Sequence, residues 1–291
     1  EIRPRDWSSD VCSSDLNSVD HDWRVSTRSG REPLETNAII DVRGCKTSVR
    51  RSGKGAPLLF LHGVMGNADN EPAFDLLSEK FDVIAPDHPG FGRSEMCDHV
   101  DDARDLSFFY LDLLDVLQIE AVHIVGACLG GWIGIEFATH ASHRVKSLTL
   151  ANSAGLRLKS VPRADLFVCS EQDMLKLLFA GDGGETWMQS IRASSDLEGI
   201  YERNRAAAAR FTWSPRLCNP KLDRWLHRVA TPTHLIWGAE NRVIPPVYAD
   251  ALRQLIKGST VTILADAGHL LHVEQPKTFA DEVARFIGRH S

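Results

Sequence analysis

Residues 121–134 read AVHIVGACLGGWIG: an apolar strand runs into Gly126-Ala127-Cys128-Leu129-Gly130, and a helix follows. A nucleophile elbow requires this strand–turn–helix context, and Cys128 stands where the G-x-S-x-G pattern has serine. The small residues have a steric reason. A nucleophile in a strained turn lies so close to the neighbouring strand and helix that side chains at the glycine positions would clash. The turn exposes Sγ at the sheet edge, beside a helix N-terminus whose dipole favours a thiolate. A lone cysteine in a tight turn reads first as a buried structural residue. The glycine frame around Cys128 reverses that reading.

The elements that must position this thiol alternate along the chain. Short strands are expected at 38–43, 46–51, 57–61, 81–86, 121–125, 145–151, 233–237 and 261–264. Helices are expected at 74–80, 101–117, 131–140, 246–256 and 277–287. Leu106, Phe109, Tyr110, Leu113, Leu114 and Leu117 share one helical face. Pro57-Leu-Leu-Phe-Leu61 suits a strand buried on both faces of a parallel sheet. Strand–helix alternation with apolar strands gives an α/β domain with helices on both faces of a mostly parallel central sheet. Residues 155–226 break the rhythm. They lack branched strand-like runs, and helix is expected over 171–180 and 185–210. This stretch reads as a helical cap over the sheet's C-terminal edge, where open α/β sheets bind ligands. The core then comprises 37–154 and 227–291. Most of the insertion's aromatic residues read as packing.

Hydrophobic residues make up 43% and charged residues 25% of the 291 residues, which excludes a disordered, collagen-like or coiled-coil chain. No run approaches the length of a transmembrane helix, so no membrane partner is expected. The formal net charge of −6, without a basic block, argues against nucleic acid. The six cysteines show no CxxC pair and no metal-ligand spacing. They read as reduced thiols in a cytoplasmic monomer or homodimer, with no metal or organic cofactor. Residues 1–36 are expected to be disordered or non-native. Asp6–Leu16 reads DWSSDVCSSDL, which matches a translated short-read sequencing adapter and points to an environmental or draft-genome source.

Four segments, in this order and spacing, resemble the α/β-hydrolase-fold superfamily over residues 38–291: His62-Gly63, DHPGFGRS at Asp87–Ser94, GACLGG at Gly126–Gly131, and AGHLLHVEQP at Ala267–Pro276. The central insertion is more similar to capped esterases and carbon–carbon-bond hydrolases than to dienelactone hydrolases or polyhydroxyalkanoate synthases, whose elbows look alike. The resemblance implies a triad in the order nucleophile, acid, histidine. Cys128 takes the first position and His269 the last, with His272 beside it. The other histidines, His123, His140, His143 and His234, read as structural or surface residues. The family's W-G-x-x-D segment reads here Trp237-Gly238-Ala239-Glu240-Asn241. Asn241 therefore stands where the acid belongs. Glu240 next to it and Asp266 near His269 are alternative acids. Asn152-Ser153, after the strand preceding the insertion, supplies no carboxylate.

The two departures have a joint explanation. A thiol can pass its proton to histidine before attack, giving a thiolate–imidazolium pair that carries its own compensating charge, so an Asn oxygen can suffice to orient the ring. Two others stay open: decay of a site freed from catalysis, and misread bases. The resemblance places the oxyanion hole at the backbone N–H groups of Leu129 and Val64, with His62 shaping the turn. The expected function is hydrolysis of a small to medium, partly apolar ester, thioester or lactone through an acyl-enzyme. The alternatives are a non-catalytic ligand-binding relative or a carbon–carbon-bond hydrolase. An elbow without Asp argues against dehalogenase and epoxide hydrolase chemistry.

Overall fold

The computed structural model describes residues 36–67 and 72–290. The expected non-native segment lies outside these residues, except Thr36. Strand β1 (Thr36–Val42) turns at Gly44, whose N–H donates to Asp41 Oδ1 at 2.6 Å, into β2 (Cys45–Ser52). Then follow β3 (Pro57–Leu61), α1 (Pro72–Ser78), β4 (Asp82–Pro86), α2 (Ala103–Val116), β5 (Val122–Ala127), α3 (Leu129–His140) and β6 (Val145–Ala151). After an inserted segment come β7 (Thr233–Gly238), α7 (Val247–Leu255), β8 (Thr260–Leu264), α8 (Leu271–Glu274) and α9 (Pro276–Ile287).

Among the described residues the strands form one eight-stranded sheet in the order β1-β2-β4-β3-β5-β6-β7-β8. The β1–β2 and β2–β4 pairs are antiparallel, and the strands from β4 to β8 run parallel. Every residue of β5 is buried. Such a strand sits mid-sheet with both faces covered, which is why VHIVGA carries no polar/apolar alternation. One core cluster packs α2, α3 and α7 against one face of the sheet, and a second packs α1 and α9 against the other. Each apolar stripe is thereby removed from water. Local signals start the helices. Asp102 accepts from the N–H groups of Arg104 at 2.8 Å and Asp105 at 2.9 Å at the head of α2, and Pro276 opens α9.

The segment between β6 and β7 is helical, as expected: α4 (Glu171–Leu178), α5 (Gly183–Arg192) and α6 (Ser195–Thr212). The helix-prone stretch 185–210 forms two helices. Ser194 takes an extended conformation (φ −137°, ψ 129°) and interrupts the run.

The cysteine reading is corrected as well. Cys45 and Cys97 form a disulfide, with their Cα atoms 5.6 Å apart and a separation of 52 positions in sequence. The antiparallel β2–β4 pairing carries the loop after β4 back to the start of β2, a closure that sequence spacing does not reveal. Cysteine usage therefore gives no argument for a reducing compartment. Among the described residues no helix is long and apolar enough to cross a membrane, and no cluster of three or more His, Cys, Asp or Glu could hold a metal.

Candidate active site

Cys128 caps the N-terminus of α3 with φ 49° and ψ −109°, a backbone region costly for a residue with a Cβ. The surrounding structure over-determines this conformation. Cys128 N–H donates to Ala151 O at 3.0 Å, and its carbonyl accepts from Ala154 at 2.9 Å and Trp132 at 3.2 Å. Gly130 N–H donates to His62 O at 3.0 Å, and a Cβ on Gly130 would collide with the Leu61 carbonyl. The turn therefore seats α3 directly on the end of β3.

The thiol itself is 3% exposed. Burial pushes it up to about 11, while hydrogen bonds from the backbone N–H groups of Val64 and Leu129, and the charge of Arg163, act the other way. Arg163 is held by two carbonyls, Leu217 O at 2.9 Å and Arg216 O at 2.7 Å. These two N–H groups are the pair expected to line an oxyanion hole, and both act on the Cys128 thiol.

The Val64 loop is built from histidines. His62 Nδ1–H donates to Gly63 O at 2.7 Å, and its Nε2 accepts from the His88 N–H at 2.9 Å. His88 Nε2–H returns to His62 O at 2.9 Å, and Tyr110 O–H donates to His88 Nδ1. Both rings are buried and kept neutral. Burial lowers His62 to about 4, and burial together with His62 holds His88 well below the usual range. His62 thus shapes the turn, and the DHPG segment supplies its partner. Asp87 accepts from Arg93 N–H at 3.0 Å, which folds that segment back on itself.

His269 is 2% exposed and lies in the loop between β8 and α8. Its Nδ1 stands 3.2 Å from Asn241 Oδ1. The same oxygen accepts from the backbone N–H of Val243 at 3.0 Å and Ile244 at 2.9 Å. Those two donors fix which end of the amide faces the ring, so Nδ1 carries the proton and Nε2 its lone pair. Among the described residues His269 Nε2 and Asn241 Nδ2 are buried without a hydrogen-bond partner. Burial lowers His269 to about 3, with His272 contributing.

The alternative acids lie elsewhere. Glu240 is exposed and paired with Arg242 at 3.2 Å, and Asp266 is exposed at φ 52°. The side-chain partner of His269 Nδ1 is Asn241. His272 lies tilted against the rings of Phe60 and Phe279 and is lowered to about 4 by burial. His123, His140 and His234 bond Ser147, Ser107 and Thr260, and His143 is exposed. These four keep the structural or surface roles expected.

Two features escaped the sequence. Asn152 contributes no acid, yet it links the strand ends. Its Nδ2 donates to Gly268 O at 3.0 Å and His269 O at 2.8 Å, and its Oδ1 accepts from Gly238 N–H at 3.1 Å. Ala151, the preceding residue, holds Cys128, so one short stretch ties the thiol's turn to the histidine's loop. The inserted segment also reaches this loop: Leu178 O accepts from the N–H groups of His269 at 2.7 Å and Leu270 at 3.1 Å. The second feature is charge. Burial raises the Cys128 thiol to about 11 and lowers His269 to about 3, and so acts against the thiolate–imidazolium pair.

The sheet order, the strained residue between β5 and α3, and the loop histidine after β8 together define an α/β-hydrolase architecture. A model described as the alpha/beta hydrolase family matches residues 58–282, and the chain belongs to that family. The chain is 28% identical over 260 residues to a dihydrolipoyllysine-residue acetyltransferase component of an acetoin cleaving system from Cupriavidus necator, covering 86% of this chain and 68% of that protein. It is 28% identical over 268 residues to a 2-hydroxymuconate semialdehyde hydrolase from a Pseudomonas species, covering 87% and 94%. In fold it is similar to a meta-cleavage product hydrolase from Pseudomonas fluorescens, with a TM-score of 0.73, 23% identity, and coverage of 88% and 99%.

Proposed function

We propose that the chain is a cysteine-dependent hydrolase of a small to medium, partly apolar ester, thioester or lactone. Cys128 is the nucleophile, His269 the base and then the acid, and Asn241 the residue that orients it. The observation that carries this reading is the strained backbone of Cys128 at the head of α3, in a chain that also holds His269 Nδ1 3.2 Å from Asn241 Oδ1. The backbone N–H groups of Leu129 and Val64 are assigned to the developing oxyanion, because preset donors stabilise it without reorganising.

The steps follow from the protonation states. Cys128 starts as a thiol and His269 as a neutral ring with a free Nε2. As sulfur bonds to the substrate carbonyl carbon, its proton passes to Nε2, and the carbonyl oxygen becomes an oxyanion facing Val64 and Leu129. Collapse breaks the bond to the leaving group, which takes the proton from His269 and departs, leaving an acyl-cysteine. Water then attacks the thioester carbon, gives a proton to Nε2, and releases the acid while the thiol regains its proton. The segment 155–226 acts as a cap enclosing this site, since its Leu178 carbonyl grips the His269 loop.

The kinship with a 2-hydroxymuconate semialdehyde hydrolase favours a second reading, cleavage of a carbon–carbon bond next to a carbonyl. The test is p-nitrophenyl butyrate turnover by wild type and Cys128→Ala, alongside a thioester analogue. Turnover that disappears in the variant supports the thiol hydrolase. Inactivity of both proteins on both substrates would leave a non-catalytic ligand-binding relative.

A further inference from the structure

We propose that Asn204, on the inserted helix α6, is a positioning residue that sets the oxyanion donor of Val64. This rests on the hydrolase reading for its catalytic consequence, but not for its geometry. Asn204 is 2% exposed and uses both ends of its amide. Nδ2 donates to the Met65 carbonyl at 2.9 Å, and Oδ1 accepts from the Gly92 N–H at 2.7 Å. One side chain from the insertion thus clamps the two loops that flank the elbow.

The mechanical link to Val64 is short. The Gly63 carbonyl is held by His62 Nδ1–H at 2.7 Å and by the Gly66 N–H at 3.1 Å. A planar trans peptide points its N–H opposite its C=O, so fixing Gly63 O aims the Val64 N–H. Gly63 lies over the elbow, where an added Cβ would stand 3.1 Å from Cys128 Cβ. The peptide that carries the Val64 N–H therefore starts against the cysteine of the elbow. Gly66 holds the other end of the turn at φ +86°, and any Cβ there would strike the Asn204 amide. Removing the amide frees the Met65–Gly66 peptide and, through the Gly66 N–H, the plane that carries the donor. Burial makes the loss costly, since Met65 O would be left without its partner.

The experiment compares wild type with Asn204→Asp, Asn204→Ala and a control, Arg210→Ala. Asn204→Asp keeps the acceptor for Gly92 but sets an oxygen against the Met65 carbonyl, whereas Asn204→Ala leaves that carbonyl unpaired; unfolding midpoints show that each variant compared is folded. Arg210→Ala removes the exposed ion pair of α6 with Asp101, 3.0 Å, without touching the clamp. Two readouts are taken: amide hydrogen exchange over residues 62–67, and kcat and KM on p-nitrophenyl butyrate. The expected result is exchange faster by about 10- to 100-fold in both Asn204 variants, the range set by losing one buried hydrogen bond, with no change in the control. A similar fall in kcat, with KM within about twofold, accompanies it, because a misaimed donor weakens only the transition state. Unchanged exchange in the Asn204 variants, or equal acceleration in Arg210→Ala, overturns the proposal. If the wild type turns nothing over, the hydrolase reading falls, and the exchange comparison alone upholds or overturns the positioning by Asn204.

Discussion

Asn241 Oδ1 lies 3.2 Å from His269 Nδ1 while accepting from two backbone N–H groups, those of Val243 and Ile244. Replacing Asp by Asn in a serine triad costs about 10⁴ in turnover, mainly because the amide selects the wrong tautomer. Here the backbone donors turn the oxygen toward the ring, so Nδ1 holds the proton and Nε2 stays available. The remaining deficit is charge: a neutral oxygen supports the forming imidazolium less than a carboxylate does. Asn241→Asp should therefore raise kcat, by far less than the roughly 10⁴ of that comparison. Steady-state kinetics measures it, and a loss of kcat would show that the amide itself is required.

Asn241→Ala should lower kcat and also destabilise the fold by about 1–3 kcal/mol, because the Val243 and Ile244 N–H groups lose their buried acceptor. Chemical denaturation gives the stability change. An unaltered midpoint would mean that water replaces the amide.

Stability should fall in mild acid. The rings of His62, His269 and His272 are buried and lowered to about 4, 3 and 4. Below pH 6.5 the unfolded chain binds protons on these rings and the folded chain does not, so stability is full above that pH and is lost as pH drops toward 4. Thermal melts at pH 7, 6, 5 and 4 read this out, and a constant midpoint across the series would contradict the burial of neutral rings.

The disulfide between Cys45 and Cys97 closes a long loop. Reducing it, or replacing both residues with Ser, should cost about 2–4 kcal/mol. Denaturation with and without reductant tests this. No difference would indicate that the protein works with both thiols free.

Local patterns carried much of this fold. The apolar run into Gly126-Ala127-Cys128 announced β5, the elbow and α3, since a doubly buried strand and a tight turn each constrain adjacent residues. What was illegible depends on contacts distant in sequence. The Asn204 clamp spans 139 residues to Met65 and 112 to Gly92. Asn152 looked like a missing acid because its partners, 116 and 117 residues away, had not been placed beside it. The balance of effects on the Cys128 thiol is illegible for the same reason: the elbow's helix dipole is visible in sequence, whereas the burial that opposes it is a property of the packed molecule. The break at Ser194 carried a local signal, Ser194-Ser195-Asp196, that reads as a helix start.

The central claim is that Cys128 sulfur carries the acyl group. Rapid-quench mass spectrometry of the protein mixed with p-nitrophenyl butyrate at pH 7 tests it most directly. A butyryl group should appear on the peptide containing Cys128, form and decay at rates matching kcat, and be absent in Cys128→Ala. Cys128→Ser alone should be inactive. Turnover without that adduct, or esterase activity that appears only when Cys128→Ser and Asn241→Asp are combined, would contradict a working thiol nucleophile.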